Sequence, residues 1–540
     1  MSLRFTQLRR PEQDIQAKPG SLTRRATVSL IILPVLATLG TQPAFAQIRL
    51  QLLGTHSTGI FNGSAAEVGA YDPGTRRFFT VSSAQDAVNI LDFSNPAAPT
   101  QIGSISTLPY GANPNSVAAC DGIVAVAVEA FDRTSPGKVA FFSTGGVAIS
   151  SATVGALPDM LTFTPNCRRV LVANEGEPSS DYLTDPEGSI SIIDMTRGAA
   201  NLTNAHVRTA TFTAFNNAVL DPSIRIFGPG ATVAKDLEPE YIAVSHDSRT
   251  AWITLQENNA MATLDIETAT ITHLAGLGFK NHNSAGNGLD PSNADGGNFI
   301  ANWPVRGMYQ PDAMAAYHDG KDTFLIMANE GDARDYPGYS EETTVSSLLL
   351  DPVAFPNAAT LQLPSNLGNL RVTRANGNTG GGIYNQLYSF GARSFSIRSA
   401  SGALIYDSGD QFEQITRAII PAVFNANHTS NSRDNRSDDK GPEPEGIAIG
   451  KAFGRTYAFI GLERIGGVMV YNITDAHSPA FVQYINNRNF AQTPGVNQGG
   501  DLGPEGLVFI RAEDSPNGQP LLVVCNEISG TTTVFQIVKM

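Results

Sequence analysis

A short phrase recurs along this chain: a proline, an acidic residue, a strand-like run, then a second acidic residue. Pro158-Asp159 precedes Asn174-Glu175, Pro239-Glu240 precedes Gln256-Glu257, and Pro311-Asp312 precedes Asn329-Glu330. Pro444-Glu445 precedes Glu463, and Pro504-Glu505 precedes Asn526-Glu527. The second acid follows the first by 16 to 22 residues. A fixed phrase with variable spacers marks one supersecondary unit used repeatedly. It also returns carboxylates to the same place in every unit. Like charges do not crowd together without partners, so such a set needs cations, arginines or water. Ca2+ is the natural ion, because it takes many oxygen ligands from flexible loops. The alternative is that each acid caps a turn or pairs with an arginine inside its own unit.

Two loops add carboxylates. NEGEPSSDYLTDPEG, Asn174 to Gly188, holds Glu175, Glu177 and Asp181; LDPSNADGG, Leu289 to Gly297, holds Asp290 and Asp295. Both resemble calcium loops in composition, although neither has EF-hand spacing. The candidate metal ligands are therefore Glu175, Glu177, Asp181, Asp290, Asp295, Glu330, Glu445 and Glu527, and the candidate ligand-facing acids are Asp159, Glu240, Asp312, Glu463 and Glu505. The densest charged segment, Asn431 to Gly446, alternates Arg433, Arg436 and Lys440 with acids. Its arginines, with Arg393, are able either to grip a phosphate bidentately or to neutralise the carboxylates. Arg334 and Arg464 are open to the same two roles. The eight histidines are scattered, with His282 and His428 in polar inserts. No HExxH, G-x-S-x-G, P-loop or dinucleotide motif is present, so catalytic zinc, a serine elbow and nucleotide binding find no support.

The elements that must position these residues are strands. Ile123–Val128, Val170–Ala173, Ala251–Leu255, Phe324–Ala328, Tyr457–Gly461 and Leu521–Cys525 are short β-rich runs, punctuated by Gly, Pro, Asn and Asp. Helical periodicity is weak; Glu341 to Leu350 is its best short example. Two looser units, Pro114-Asn115 with Glu129 and Glu67 with Val81-Ser82, bring the count to seven. Seven units of about four strands predict an all-β chain folded as a seven-bladed β-propeller. Phrases such as NILDFSNPAAP, SIIDMT, TLDIET and MVYNITDAHSP fit the third strand of a blade and its turn. Uneven spacing predicts long loop inserts at Asn201 to Ala234, at Phe279 to Gly307, and from about 331 to 440, where function usually resides.

The net charge is −14 with no basic patch, which excludes nucleic acid as a partner. Arg24-Arg25, the apolar run Val28 to Leu39 and Ala44-Phe45-Ala46 read as an export signal over residues 1–46. That leaves residues 47–540 as one propeller, periplasmic or secreted, with no later stretch long and apolar enough to span a membrane; the export route is open between the general secretory and twin-arginine systems. Of three cysteines, Cys120 and Cys167 fall in neighbouring repeats where a bridge is open to them, and Cys525 reads as a buried thiol.

GMYQPDAMAAY, MANEGDARDY, LYSFGARSFSI, DSGDQFEQIT, RSDDKGPEPEG, YAFIGLERIGGVMVY and GDLGPEGLVFI resemble the choice-of-anchor I domain family, from about Gly54 onward. The resemblance implies an exported propeller, similar to mesenchyme-specific cell-surface glycoproteins and to proteins labelled alkaline phosphatase. Departures from the pattern are the absence of a recognisable C-terminal anchor or fused catalytic domain, and Asn293 where the acidic loop would carry Asp. Two functions follow as expectations. The favoured one is a calcium-binding propeller that binds an extracellular or surface ligand, a phosphorylated one included. The other is a metal-dependent phosphomonoesterase, in which Arg393, Arg433 and Arg436 hold phosphoryl oxygens and Glu445 or Glu330 acts as base.

Overall fold

The structure is a computed structural model and describes residues 48–540; the export-signal expectation lies outside them. Among the described residues, seven sheets each contain four antiparallel strands. Their first strands are Gly69–Asp72, Pro114–Cys120, Pro158–Phe163, Pro239–Val244, Met314–His318, Pro444–Ala452 and Pro504–Ile510. Each packs against the next, and the last against the first. The ring therefore closes on a central channel. All seven strands, or the residues just before them, line a cavity of ≈ 480 Å³. Radial repetition of this kind leaves only short outer edges, in line with the all-β propeller expected from the sequence.

The six β-rich runs read from the sequence fall on the second strands of six of the seven sheets. Ile123–Val128, Arg169–Asn174, Thr250–Leu255 and Leu521–Asn526 are almost wholly buried. They are apolar on both faces because a neighbouring sheet covers each face, so alternation disappears. The turn phrases fall on third strands, for example Ala87–Asp92, Ser189–Asp194, Ala260–Asp265 and Val468–Asn472. The fourth strand of the first sheet, Thr100–Ser106, lies at the outer edge and is mostly exposed.

Two sheets are not contiguous in sequence. The last takes its outer strand from Ile48–Ser57, which pairs with Thr531–Lys539 from Ile48↔Lys539 to Ser57↔Thr531. The fifth is interrupted: Met314–His318 and Thr323–Asn329 are completed by Ser394–Ser399 and Leu404–Asp407. Between them, Glu342–Thr344, Arg371–Thr373 and Tyr388–Ser389 join Phe279–Asn281 and Arg306–Met308 in a separate five-stranded sheet. This sheet has its own core, including Val305, Leu367, Leu370 and Val372.

Two local expectations need correction. Glu341 to Leu350 is not an α-helix: Glu342–Thr344 pairs with Arg371–Thr373, because the β-branched Thr343 and Thr344 favour a pleated surface, and a single 3-10 turn, Val345–Ser347, follows. Among the described residues the longest α-helix is instead Gln411–Ile419. The insert Asn201 to Ala234 also includes the fourth strand of its sheet, Val207–Thr211. Cys120 and Cys167 form a disulfide with Cα atoms 5.9 Å apart, and Cys525 is a free, buried thiol.

Candidate functional site

The Pro-acid step and the second acid come together through a hairpin. First and second strands are antiparallel neighbours, so the start of one meets the end of the other: Pro158↔Asn174, Pro239↔Leu255, Pro444↔Leu462 and Pro504↔Asn526. The register then shifts at the next residues in all four pairs. Asp159, Glu240, Glu445 and Glu505 therefore sit in bulges, which re-aim side chains out of the pleat. Glu175 N donates to Leu157 O at 2.9 Å, Glu463 N to Glu443 O at 2.8 Å, and Glu527 N to Gly503 O at 2.8 Å. These bonds tie the second acid to the residue before the proline. That residue is left-handed at Leu157, Gln310, Glu443 and Gly503, with φ of 46°, 40°, 51° and 68°. Such a conformation costs non-glycine residues energy and is concentrated at functional sites.

The result is a collar of carboxylates at one mouth of the channel. Oxygens of Glu67, Glu505 and Glu527 lie within 4.8 Å of one another, as do those of Asp312, Glu330 and Glu445, and those of Glu330, Glu443 and Glu463. Burial, joined for most of them by like charges nearby, pushes Glu67, Asp312, Glu330, Glu445, Glu505 and Glu527 up, with the Lys440 ammonium opposing it at Glu330. Glu330 is raised to about 7 and Glu527 to about 8. Glu67 reaches about 7 by burial, which outweighs the hydroxyls of Ser83 and Ser64. Asp312, Glu445 and Glu505 lie well above the usual carboxylate range for the same two reasons. Oε2 of Glu445 and Oε2 of Glu505 are buried without a hydrogen-bond partner. Isolated acceptors of this kind are costly in protein interiors.

Basic groups neutralise only part of the collar. Lys440 Nζ donates to Glu330 Oε1 at 2.8 Å and lies 3.2 Å from Glu443 Oε2. Arg436 donates to Glu443 Oε1 from Nε and Nη2 at 2.8 and 2.6 Å, and Arg464 Nε donates to Oε2 at 3.0 Å. Burial would raise Glu443, but Lys440, Arg464 and Arg436 outweigh it and hold the carboxyl well below its ordinary value. His428 Nδ1 lies 3.1 Å from Glu463 Oε1. On the far side Glu177 pairs with Arg133. Behind it Arg334 is buried against Asp236 and Glu238. A recess of ≈ 270 Å³ there is lined by Asp159, Glu175, Glu240, Glu257 and Asp332 among others.

The structure thus brings together Asp159, Glu175, Glu177, Glu240, Asp312, Glu330, Glu445, Glu463, Glu505 and Glu527 around one opening. Other residues named from the sequence are elsewhere. Asp181 is exposed and accepts from Ser179 Oγ and Leu183 N within its own turn. Arg393 is buried, donating to Asp290 O, Glu413 Oε1, Ser437 O and Asp439 O. Arg433 donates to Gly296 O. Asp290 and Asp295 form a second cluster with Asp434. Asn293 is occupied by Asp438 and Asn369.

Several collar residues were absent from the sequence-derived site. Glu67 was legible as a unit lacking only its proline. Glu443 and Lys440 were visible as charges, but no spacing rule marks a residue before the proline as the anchor of three cations.

The choice-of-anchor I domain profile matches residues 67–476. The chain is 33% identical over 183 residues to Gigasin-3a of Magallana gigas, covering 32% of this chain and 64% of that protein. It is 27% identical over 283 residues to a mesenchyme-specific cell surface glycoprotein of Strongylocentrotus purpuratus, covering 46% of this chain and 36% of that one. The matches thus span under two thirds of either relative's length. Among solved structures it is similar to a hydrazine synthase of Kuenenia stuttgartiensis, with TM-score 0.46, 12% identity, and coverage of 91% and 99%. It is also similar to a streptogramin B lyase, with TM-score 0.44, 10% identity, and coverage of 92% and 98%. That profile covers most of the chain, and this chain belongs to the choice-of-anchor I domain family.

Proposed function

We propose that this protein is an extracellular or surface-associated propeller whose acidic mouth binds Ca2+ and, through it, an anionic group of an extracellular ligand. The family and the cell-surface glycoprotein relative support the location. The observation that carries the binding reading is the pair of orphaned acceptors, Glu445 Oε2 and Glu505 Oε2, each within a three-carboxylate group. Hard oxygen donors converging without enough resident cations fit a hard divalent ion. Glu67, Glu505 and Glu527 would hold one ion, and Asp312 and Glu445, with Glu330 alongside, would hold another. The ion would supply positive charge able to attract a carboxylate or phosphate. The channel wall beneath includes Met160, Tyr241, Ile447 and Leu507, and gives apolar surface to the rest of such a ligand.

The phosphomonoesterase reading draws no support from the arginines named for it. Arg393 and Arg433 bond backbone carbonyls away from the collar, and Arg436 is engaged with Glu443. Glu330, one of the two bases considered, has both oxygens occupied, by Lys440 and by Gln256.

Calorimetric titration of Ca2+ into the EDTA-treated protein and into the Glu445→Gln/Glu505→Gln variant tests the reading. Binding by the parent that is lost in the variant supports it; equal binding by both, or none by either, sinks it. Adding p-nitrophenyl phosphate to the same samples distinguishes ligand capture from turnover.

A further inference from the structure

A second group of carboxylates lies outside the collar. It is built from segments far apart in sequence: the Leu289 to Gly297 loop and the stretch from Asn425 to Ser437. Oxygens of Asp290, Asp295 and Asp434 lie within 4.8 Å of one another. Asp290 is 0% exposed and Asp434 4%. Among the described residues, none of the three forms an ion pair with a basic side chain. Arg393, the nearest buried cation, donates to the backbone of Asp290 and to Glu413 Oε1, at 2.8 and 2.7 Å. Arg433 is turned to Gly296 O at 2.9 Å.

The remaining contacts leave acceptors over. Asp290 Oδ1 accepts from Ser292 N at 3.3 Å, while its Oδ2 is buried and has no partner. Asp295 Oδ1 accepts from Gly297 N at 2.8 Å. Ser437 Oγ donates to Asp434 Oδ1 and accepts from Asn425 Nδ2. Asn425 Oδ1, on a wholly buried side chain, is a second orphan. Both orphaned atoms are oxygen acceptors, and a basic side chain is not supplied to either. A buried carboxylate oxygen without a donor, in a group of three carboxylates, calls for a cation.

We infer that Asp290, Asp295 and Asp434 form a lateral divalent-cation site, distinct from the collar, that staples the Leu289 to Gly297 loop to the Asn425 to Ser437 segment. All-oxygen donors drawn from loops suit Ca2+. The site does not depend on the collar binding metal. It acts on the same segment that carries Lys440 into the collar, three residues beyond Ser437.

Equilibrium dialysis with radioactive Ca2+ tests this on the full chain, on Asp295→Asn and Asp434→Asn, and on the collar variant Glu445→Gln/Glu505→Gln. Each single variant is expected to lose one bound ion, or to weaken it by roughly tenfold or more, since ligand charge sets affinity in such sites. The collar variant is expected to keep that ion. Unchanged stoichiometry and affinity in both single variants overturns the inference. If the collar variant binds as the parent does while Asp295→Asn loses an ion, the collar reading fails and this one stands. Asp295 is half-buried, so Asp295→Asn is the variant least exposed to folding failure. Hydrogen exchange gives a second readout: Ca2+ should slow exchange over residues 289–297 and 425–437 in the parent and not in Asp295→Asn. Exchange there that is indifferent to Ca2+ in the parent also overturns the inference.

Discussion

Lys440 and Glu330, 110 residues apart in the chain, meet at 2.8 Å beside the acidic mouth. The same ammonium reaches Glu443 Oε2 at 3.2 Å. One buried lysine thus joins the second strand of the fifth sheet to the residue that opens the sixth.

Removing that cation leaves Glu330 without its basic partner and facing Glu443, which keeps Arg436 and Arg464. Lys440→Met is expected to destabilise the protein by about 3–5 kcal/mol, the usual cost of orphaning a buried charge. Urea unfolding of the variant with EDTA measures it, and added Ca2+ should recover part of the loss if an ion can replace the ammonium. A shift of less than about 1 kcal/mol would show that water serves the carboxylates equally well.

Metal-free stability should fall as pH rises. Asp159, Glu257 and Glu330 are pushed to about 7 and Glu527 to about 8, burial being the main cause. Unfolded carboxylates titrate near about 4, so between these limits the folded state holds more protons. The stabilising contribution is therefore complete below about 4 and lost as pH passes through 7 to 8. Glu443 acts oppositely, since its depressed value makes its contribution vanish on strong acidification. Urea midpoints in EDTA at pH 5, 6.5 and 8 should decline in that order, and Ca2+ should help most at pH 8. A rising series would refute the shifts.

The Pro-Glu-Gly steps need their glycines because innermost strands crowd near the axis. A Cβ on Gly446 would run into the carbonyl oxygen of Glu505, whereas one on Gly495 would meet nothing within 4 Å. Gly446→Ala is expected to cost about 1–3 kcal/mol, as overpacking does. Gly495→Ala should be close to neutral. Thermal melts of the two variants make the comparison, and equal melting temperatures would show that the strands can part.

Deleting residues 48–57 should expose the edge of Thr531–Lys539, which pairs with Ile48–Ser57 along its length. An unpaired edge invites association with other chains. The truncated protein is expected to melt earlier and to form larger species in light scattering. A monodisperse product with the parent's melting temperature would mean that three strands suffice for the last sheet.

The sequence by itself determined the all-β class, the repeat and most of the collar. Proline followed by an acid is a local signal, and Asp159, Glu240, Asp312, Glu445 and Glu505 were legible from it because every unit folds into the same hairpin. Continuous apolar runs such as Ile123–Val128 announced their burial for an equally local reason: both faces are covered. Tertiary structure decided the rest. Ring closure through Ile48–Ser57 joins segments from opposite ends of the described chain, and no local pattern encodes that pairing. The return of Ser394–Ser399 to complete the fifth sheet depends on where a long excursion ends. Partner choice was equally hidden. Arg393, Arg436 and Lys440 look alike as positive charges, yet Arg393 is bound to backbone carbonyls and Glu413 while Arg436 and Lys440 are drawn to Glu443. Charge is written residue by residue, but its neutralisation depends on which segments are brought within a few ångströms.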